Sequence, residues 1–366
     1  MKYQHGGDIY SQPVKLDYSA NINPLGLAPS VREALLSGIS GDVCSLYPDS
    51  CCRELTERLS AHHQVREQWI ICGNGAAELI FHLAFFVTPR RGLVLAPTFS
   101  EYRQAMEAAG FLVDEYPLLS EDGFLVDGEG LAEKIRQAGR EDGPYGLVWL
   151  CNPNNPTGRA IRQETVRKLA AACRDTGTLL AVDECFCEFM EDWQSFSVIP
   201  LLKEFDNLFV LKAFTKLYAM AGLRLGYGLS SNGTLLEGIR RLRQPWPVSG
   251  LAQAAGAAAL GEETYVEETR RLITEERKWL EKGLKSLGFF VFPSQANYIL
   301  FRDVEQRGGD GSERGWLYER LLEKGILIRS CFNYTGLDHS YYRICVKKRR
   351  ENQAFLEELA EVLKER

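Results

Sequence analysis

The sequence predicts an α/β fold: a mostly parallel central sheet with flanking helices, followed by a smaller α+β unit. Three observations predict it. Short apolar runs recur along the first two thirds of the chain, namely "WIICG", "GLVLAP", "YGLVWLCNP", "TLLAVDECF", "NLFVLKAF" and "RLGYGLS". Segments of helical period, such as "TVRKLAAACRDTG", separate most of them, as parallel strands buried on both faces require. Polar residues collect where the runs end, at the "GNGAAE" turn, Asn152–Asn155, Asp183 and Lys216, and ligands in open parallel sheets bind beyond the carboxyl ends of strands.

From the N-terminus, residues 1–30 are loop-like, with "NINPLG" as turn punctuation. A helix follows in "APSVREALLSGI", where Ser30 and Glu33 fit a capping box. Residues 31–255 hold the apolar runs and form the large unit. Residues 256–366 begin with a long helix rich in Glu, Arg and Lys and form the small one, and the N-terminal arm is expected to pack on it or on the active site.

Composition narrows the function classes. With 366 residues, 45% hydrophobic and a net charge of -6, the chain is globular and has no basic arm for nucleic acid. The ten cysteines form no Cys-x-x-Cys pair and interleave with no histidine spacing, so no metal site is expected. No stretch is long and apolar enough to span a bilayer, and the start "MKYQHGGDIY" has no apolar leader, so a cytoplasmic setting with reduced thiols is expected.

Each motif has a plain structural reading. Gly73 and Gly75 could make a tight strand-to-helix turn or a phosphate cradle at a helix N-terminus, but Glu78 stands where a dinucleotide fingerprint needs a third glycine. Asp183 ends an apolar strand and needs a partner, which could be a protonated heterocycle, a helix cap or an arginine. "CNPNNPTG" is common turn chemistry, and a lone Lys216 is more often a surface lysine. Their co-occurrence at strand ends, in the order Gly turn, Asn, Asp, Lys, Arg, supplies the contacts that pyridoxal 5′-phosphate needs: an amine for its aldehyde, a carboxylate for its ring nitrogen and donors for its phosphate.

This ordered set resembles fold-type I pyridoxal-phosphate enzymes of the aminotransferase superfamily over almost the entire chain. The resemblance implies that Lys216 is the Schiff-base lysine, that Asp183 pairs with the ring nitrogen and that Asn155 bonds the ring oxygen. It implies that Phe99 stacks on the ring, and that Gly75, Ala76, Thr215 and Arg224 hold the phosphate. Tyr47 would reach the phosphate of a neighbouring subunit, which makes a homodimer the expected assembly. Two positions depart from the wider pattern. Ala213 replaces a phosphate-binding serine, and Phe186 replaces a frequent tyrosine whose hydroxyl touches the ring oxygen.

Within the superfamily, "HGGDIY", "SANINPLG", "PTFSEYRQAM", "PWPVSGLAQ" and "ILIRSCFNYTGL" resemble threonine-phosphate decarboxylases of cobalamin biosynthesis more than their sister family, the histidinol-phosphate aminotransferases. His5, Asn21 and Arg329 would then contact a substrate phosphate, and Arg343, with Asn155, a substrate carboxylate. A small phosphorylated amino acid, L-threonine O-3-phosphate or also L-serine O-phosphate, is the implied substrate. Two guanidinium groups suit its two anionic ends. The alternatives are an aminotransferase of the sister type and a catalytically idle pyridoxal-phosphate-binding regulator. Such regulators usually append a helix-turn-helix segment, and none precedes residue 31.

Overall fold

Runs of Val, Ile and Leu bounded by Gly and Pro become strands, and these organise the chain. The structure, a computed structural model, describes residues 6–141, 143–305 and 314–365. Its strands are β1 (Leu16–Asp17), β2 (Ile70–Asn74), β3 (Arg91–Ala96), β4 (Leu112–Pro117), β5 (Leu147–Cys151), β6 (Leu179–Asp183), β7 (Leu208–Ala213) and β8 (Leu225–Leu229), followed by β9 (Phe290–Val291), β10 (Tyr298–Arg302), β11 (Ile326–Leu327), β12 (Arg329–Ser330) and β13 (Tyr341–Cys345).

Seven strands make one sheet in the order β2-β8-β7-β6-β5-β3-β4. β7, β6, β5, β3 and β4 run parallel, and β8 is antiparallel to both β2 and β7. The chain passes outward from β3 to β4, then returns to β5 on the other side of β3. This reversal opens a crevice at the carboxyl ends of β3 and β5, the switch point where α/β sheets bind ligands. The helices Gly75–Phe86, Ser100–Ala108 and Gln163–Asp175 cover the sheet faces, which is why β5, β6 and most of β7 are buried along their length.

A second, four-stranded antiparallel sheet, β12-β13-β10-β9, lies in the C-terminal part. The arm that the sequence gives as loop contributes β1, which pairs in parallel with β11 (Leu16↔Ile326). The 24-residue helix Glu263–Ser286 packs against the C-terminal helix Arg349–Lys364, where Arg349 meets Glu276 at 2.9 Å.

The structure departs from the sequence reading in two places, a cap that does not form and a strand that no apolar run marks. The capping box at Ser30 does not form. The helix opens at Pro29 with Ala28 at the cap position, and the Ser30 N–H turns to Glu262 at 3.3 Å. Proline presets the first helical φ and has no N–H to satisfy, so it starts the helix ahead of the serine. Strand β4 is the other. Its "LVDEYP" residues are half-buried or exposed, as befits an edge strand with two acids and a closing proline, and no alternating pattern announces it.

Near the carboxyl end of β7 lies a buried ion cluster built on Lys212. Lys212 Nζ is 3.2 Å from Glu188 and 3.7 Å from Glu184. Glu184 also accepts from the Ser197 hydroxyl at 2.9 Å and from the Val198 N–H. Burial works against charge on Glu188, but Lys212 beside it holds its carboxyl well below the usual range. The cluster ties β7 to the segment that follows Asp183. Lys212→Ala would leave two buried carboxylates without their cation and is expected to cost about 3–5 kcal/mol in chemical denaturation. A cost under about 1 kcal/mol would show the carboxylates to be solvated.

Candidate active site

The crevice at the strand ends is a cavity of about 240 Å³, of small-molecule size, and the polar strand-end residues converge on it. Phe99 follows β3 and enters the wall at the start of the helix Ser100–Ala108. Asn155 follows β5 in a loop stitched to that of β3, where Thr98 Oγ1 donates to Asn154 at 2.7 Å and Asn154 Nδ2 donates to the Pro97 carbonyl at 2.9 Å. Asp183 is the last residue of β6, and Thr215 and Lys216 sit in the short helix Phe214–Leu217 directly after β7. Ala76, Asn21, Arg224, Arg329 and Arg343 complete the set, and all of these line the same cavity.

Asp183 is buried, and each of its oxygens has a donor. The Tyr102 hydroxyl donates to Oδ2 at 2.7 Å and the Cys185 N–H donates to Oδ1 at 2.9 Å. Burial pushes its carboxyl up, and the Cys185 and Tyr102 hydrogen bonds pull against that. Burial also lowers the Lys216 ammonium below the ordinary lysine range, with Arg343 adding repulsion, which favours the neutral amine that a nucleophile requires. Lys216 Nζ stands 6.0 Å from the centre of the Phe186 ring, which gives the amine an apolar neighbour on that side.

The anion end is built from backbone. The helix Gly75–Phe86 starts at the cavity, and its cap residue Asn74 makes no side-chain cap, which leaves the first N–H groups for a ligand. Gly75 has φ +78°, and a Cβ there would lie 2.6 Å from Arg224 Nη2. Gly226 is needed for the same close packing, since its Cβ would meet the Ala76 nitrogen at 2.5 Å. Arg224 adopts a left-handed φ of 57°, uncommon for a non-glycine residue and frequent at functional sites.

Two further cations face the cavity from the second sheet. Arg329 on β12 and Arg343 on β13 are register partners, directly opposite one another, and both are buried. Arg343 is held by neutral groups, donating to Asn155 Oδ1 and to the Ser19 carbonyl. Arg329 donates to Asn333 Oδ1 at 2.7 Å and to the Ser330 carbonyl at 2.6 Å, and it borders two adjoining cavities as well. Like charges opposite each other on paired strands repel, an arrangement that an anion between them would relieve.

Three expected residues stand apart. His5 lies outside the described residues, although Gly6 and Ser19 line the cavity. Gly75 forms the turn behind Arg224 rather than the cavity wall itself. Tyr47 is on the surface, 80% exposed and stacked on Trp246 at 4.4 Å, in a stretch where Leu36, Ile39 and Leu46 are exposed too. Conversely, Glu101, Tyr102, Cys185 and Tyr334 line the cavity without having been marked by the sequence. Glu101 and Tyr102 belong to "PTFSEY" beside Phe99, but only the helical turn shows that they face inward. Among the described residues no group of three or more His, Cys, Asp or Glu could hold a metal.

An amine at a strand end, a buried carboxylate across the cavity, an aromatic wall and an N–H and guanidinium cradle fit pyridoxal 5′-phosphate. This fold and donor set define a fold-type I pyridoxal-phosphate enzyme. The chain belongs to the aminotransferase class I and II family, whose profile matches residues 13–359, and pyridoxal 5′-phosphate is its cofactor. It is 37% identical to threonine-phosphate decarboxylase of Salmonella typhimurium, over 98% of this chain and 96% of that protein. It is 33% identical to histidinol-phosphate aminotransferase of a Geobacillus species, over 100% of this chain and 96% of that one. The crystal structure of histidinol-phosphate aminotransferase from Clostridium acetobutylicum superposes with a TM-score of 0.85 at 31% identity, covering 96% of this chain and 100% of that chain.

Burial lifts the Glu101 carboxyl to about 7, with Lys216 and Arg224 opposing the rise and Asp183 adding to it. Folded protein therefore holds a proton that unfolded chain releases as pH climbs from 4.5 to about 7, and stability falls across that window. Cofactor-free Glu101→Gln is expected to match wild type below the window and to exceed it above, in denaturation followed against pH. Parallel profiles would refute the raised carboxyl.

Proposed function

We propose that this chain decarboxylates L-threonine O-3-phosphate to (R)-1-aminopropan-2-yl phosphate, a step of cobalamin biosynthesis, with L-serine O-phosphate as a second substrate. The observation that carries this reading is the Arg329–Arg343 register pair, two buried guanidinium groups on one cavity wall. A substrate with a carboxylate at one end and a phosphate at the other satisfies both. Arg343, enclosed with Asn155 and Ser19, takes the carboxylate, and Arg329, which opens onto the adjoining cavities, takes the longer phosphate arm with Asn21 and His5. The Asn21 side-chain oxygen is buried without a partner among the described residues, as befits an amide reserved for a ligand.

When bound, pyridoxal 5′-phosphate supplies an electron sink for the pair released as a bond to the amino-bearing carbon breaks. Lys216 would provide the amine for its aldehyde, and its Nζ would be the donor of the proton that replaces CO₂ on Cα. Asp183 would hold the ring nitrogen, Phe99 would pack on the ring, Asn155 would meet the ring oxygen, and Ala76, Thr215, Arg224 and the Gly75 turn would hold the phosphate. Arg343 and Asn155 orient the carboxylate, and that orientation decides which bond breaks. In the proposed homodimer, Tyr47, which is exposed beside Trp246, would complete the phosphate site of the second copy.

The sister reading, a histidinol-phosphate aminotransferase, is favoured by the relatives of that name at similar coverage. Incubation of the holoenzyme with L-threonine O-3-phosphate separates the two. CO₂ release without an added keto acid is expected, and consumption of 2-oxoglutarate with no CO₂ would exclude the decarboxylase. Arg329→Ala is expected to raise KM for the phosphorylated substrate by roughly ten- to a hundredfold, the worth of one or two charged hydrogen bonds, while cofactor affinity stays within about twofold. Equal loss of both would move this arginine to the cofactor.

A further inference from the structure

The hydroxyl of Tyr102 makes a contact that the roles above leave unused. Tyr102 is fully buried in the helix Ser100–Ala108, and its ring lies flat on Trp149 of β5, with centroids 4.7 Å apart and planes 9° from parallel. Phe99 closes against its edge at 5.5 Å. The stacked indole and the phenyl edge restrict the ring, so the hydroxyl is delivered to one place, 2.7 Å from Asp183 Oδ2. The other oxygen, Oδ1, is tied to the Cys185 N–H. Both oxygens are thus anchored, one by the backbone after β6 and one by a side chain from a different element.

The direction of the hydrogen bond is fixed as well. Burial and the neighbouring Asp183 carboxylate hold the Tyr102 hydroxyl proton far more tightly than in an exposed tyrosine, so the group donates. A donated hydrogen bond favours the carboxylate over the carboxylic acid and opposes the burial of Asp183, which works the other way. A rotating or protonated Asp183 would have to reorient or lose its proton before it could receive a cationic heterocycle. An anchored carboxylate meets it already arranged, and the ordering cost has been met in the fold.

We propose that Tyr102 is a positioning residue for cofactor capture, its hydroxyl holding the Asp183 carboxylate aimed into the cavity to receive the ring nitrogen of pyridoxal 5′-phosphate. The proposal rests on the assignment of Asp183 to that nitrogen. Tyr102 does not touch the cofactor in this scheme; it acts through the aspartate. Its ring supports the wall, and its oxygen sets the polar contact, so the two contributions separate in Tyr102→Phe, which keeps the stack on Trp149 and removes only the donor.

The test measures binding of two compounds to the cofactor-free protein by spectroscopic titration: pyridoxal 5′-phosphate and its 1-deaza analogue, in which a carbon replaces the ring nitrogen. Wild type is expected to bind the natural cofactor more tightly than the analogue. Tyr102→Phe is expected to lose roughly ten- to a hundredfold in affinity for the natural cofactor, with affinity for the analogue within about twofold of wild type. Equal losses for both compounds would show that Tyr102 only shapes the wall, and would overturn the proposal while leaving Asp183 in its role. No preference between the compounds in wild type would remove Asp183 from the nitrogen, and the proposal with it. Thermal unfolding of the cofactor-free variant accompanies the titration, and loss of the folded baseline moves the same comparison to Tyr102→His, whose ring can restore a donor. A Tyr102→His protein that discriminates no better than Tyr102→Phe would also count against the proposal.

Discussion

The convergence of basic and acidic side chains on one cavity organises this site. Lys216, Arg224, Arg329 and Arg343 line one cavity together with Asp183 and Glu101, and two of the arginines are register partners on adjacent strands. Like charges placed this way cost stability in a folded chain. The cavity meets that cost in part with neutral acceptors, the Ser19 and Ser330 carbonyls and the amides of Asn155 and Asn333. Under the proposed function, a cofactor phosphate at Arg224 and a substrate with two anionic ends at Arg329 and Arg343 would bring further anions to this cavity.

The scaffold explains how these charges are held apart yet close. Parallel strands buried on both faces end together, so one crevice receives the loops after β3, β5, β6 and β7. Each loop delivers one function: an aromatic wall, an amide, a carboxylate and an amine. Behind the crevice, the Lys212–Glu184–Glu188 cluster and the Thr98–Asn154 stitch fix the loops against each other. The second sheet brings its two arginines to the opening from a different part of the chain.

Much of the large sheet is legible in the sequence because burial on both faces forces continuous apolar runs, and the polar residues that close those runs stand out. Lys216, Asp183 and Asn155 are found this way. What escapes is what depends on edges and on distant partners. β4 has no apolar run because one side meets solvent, and the Ser30 cap yields to Pro29 because proline fixes its own φ. The opposition of Arg329 and Arg343 is a register property of two strands separated by a loop, and no local pattern encodes it. Tyr102 and Glu101 look like ordinary helix-start residues until the turn of the helix Ser100–Ala108 carries them to the cavity. Tyr47 shows the complementary case, a motif residue that a single chain leaves on its surface.

The central claim is that one lysine, at the end of β7, captures the aldehyde of pyridoxal 5′-phosphate. Reduction of the holoenzyme with borohydride, followed by proteolysis and mass mapping, tests it most directly. The account predicts a single reduced pyridoxyl adduct on the peptide that carries Lys216. An adduct on any other lysine, or none on a protein that binds the cofactor, would contradict it.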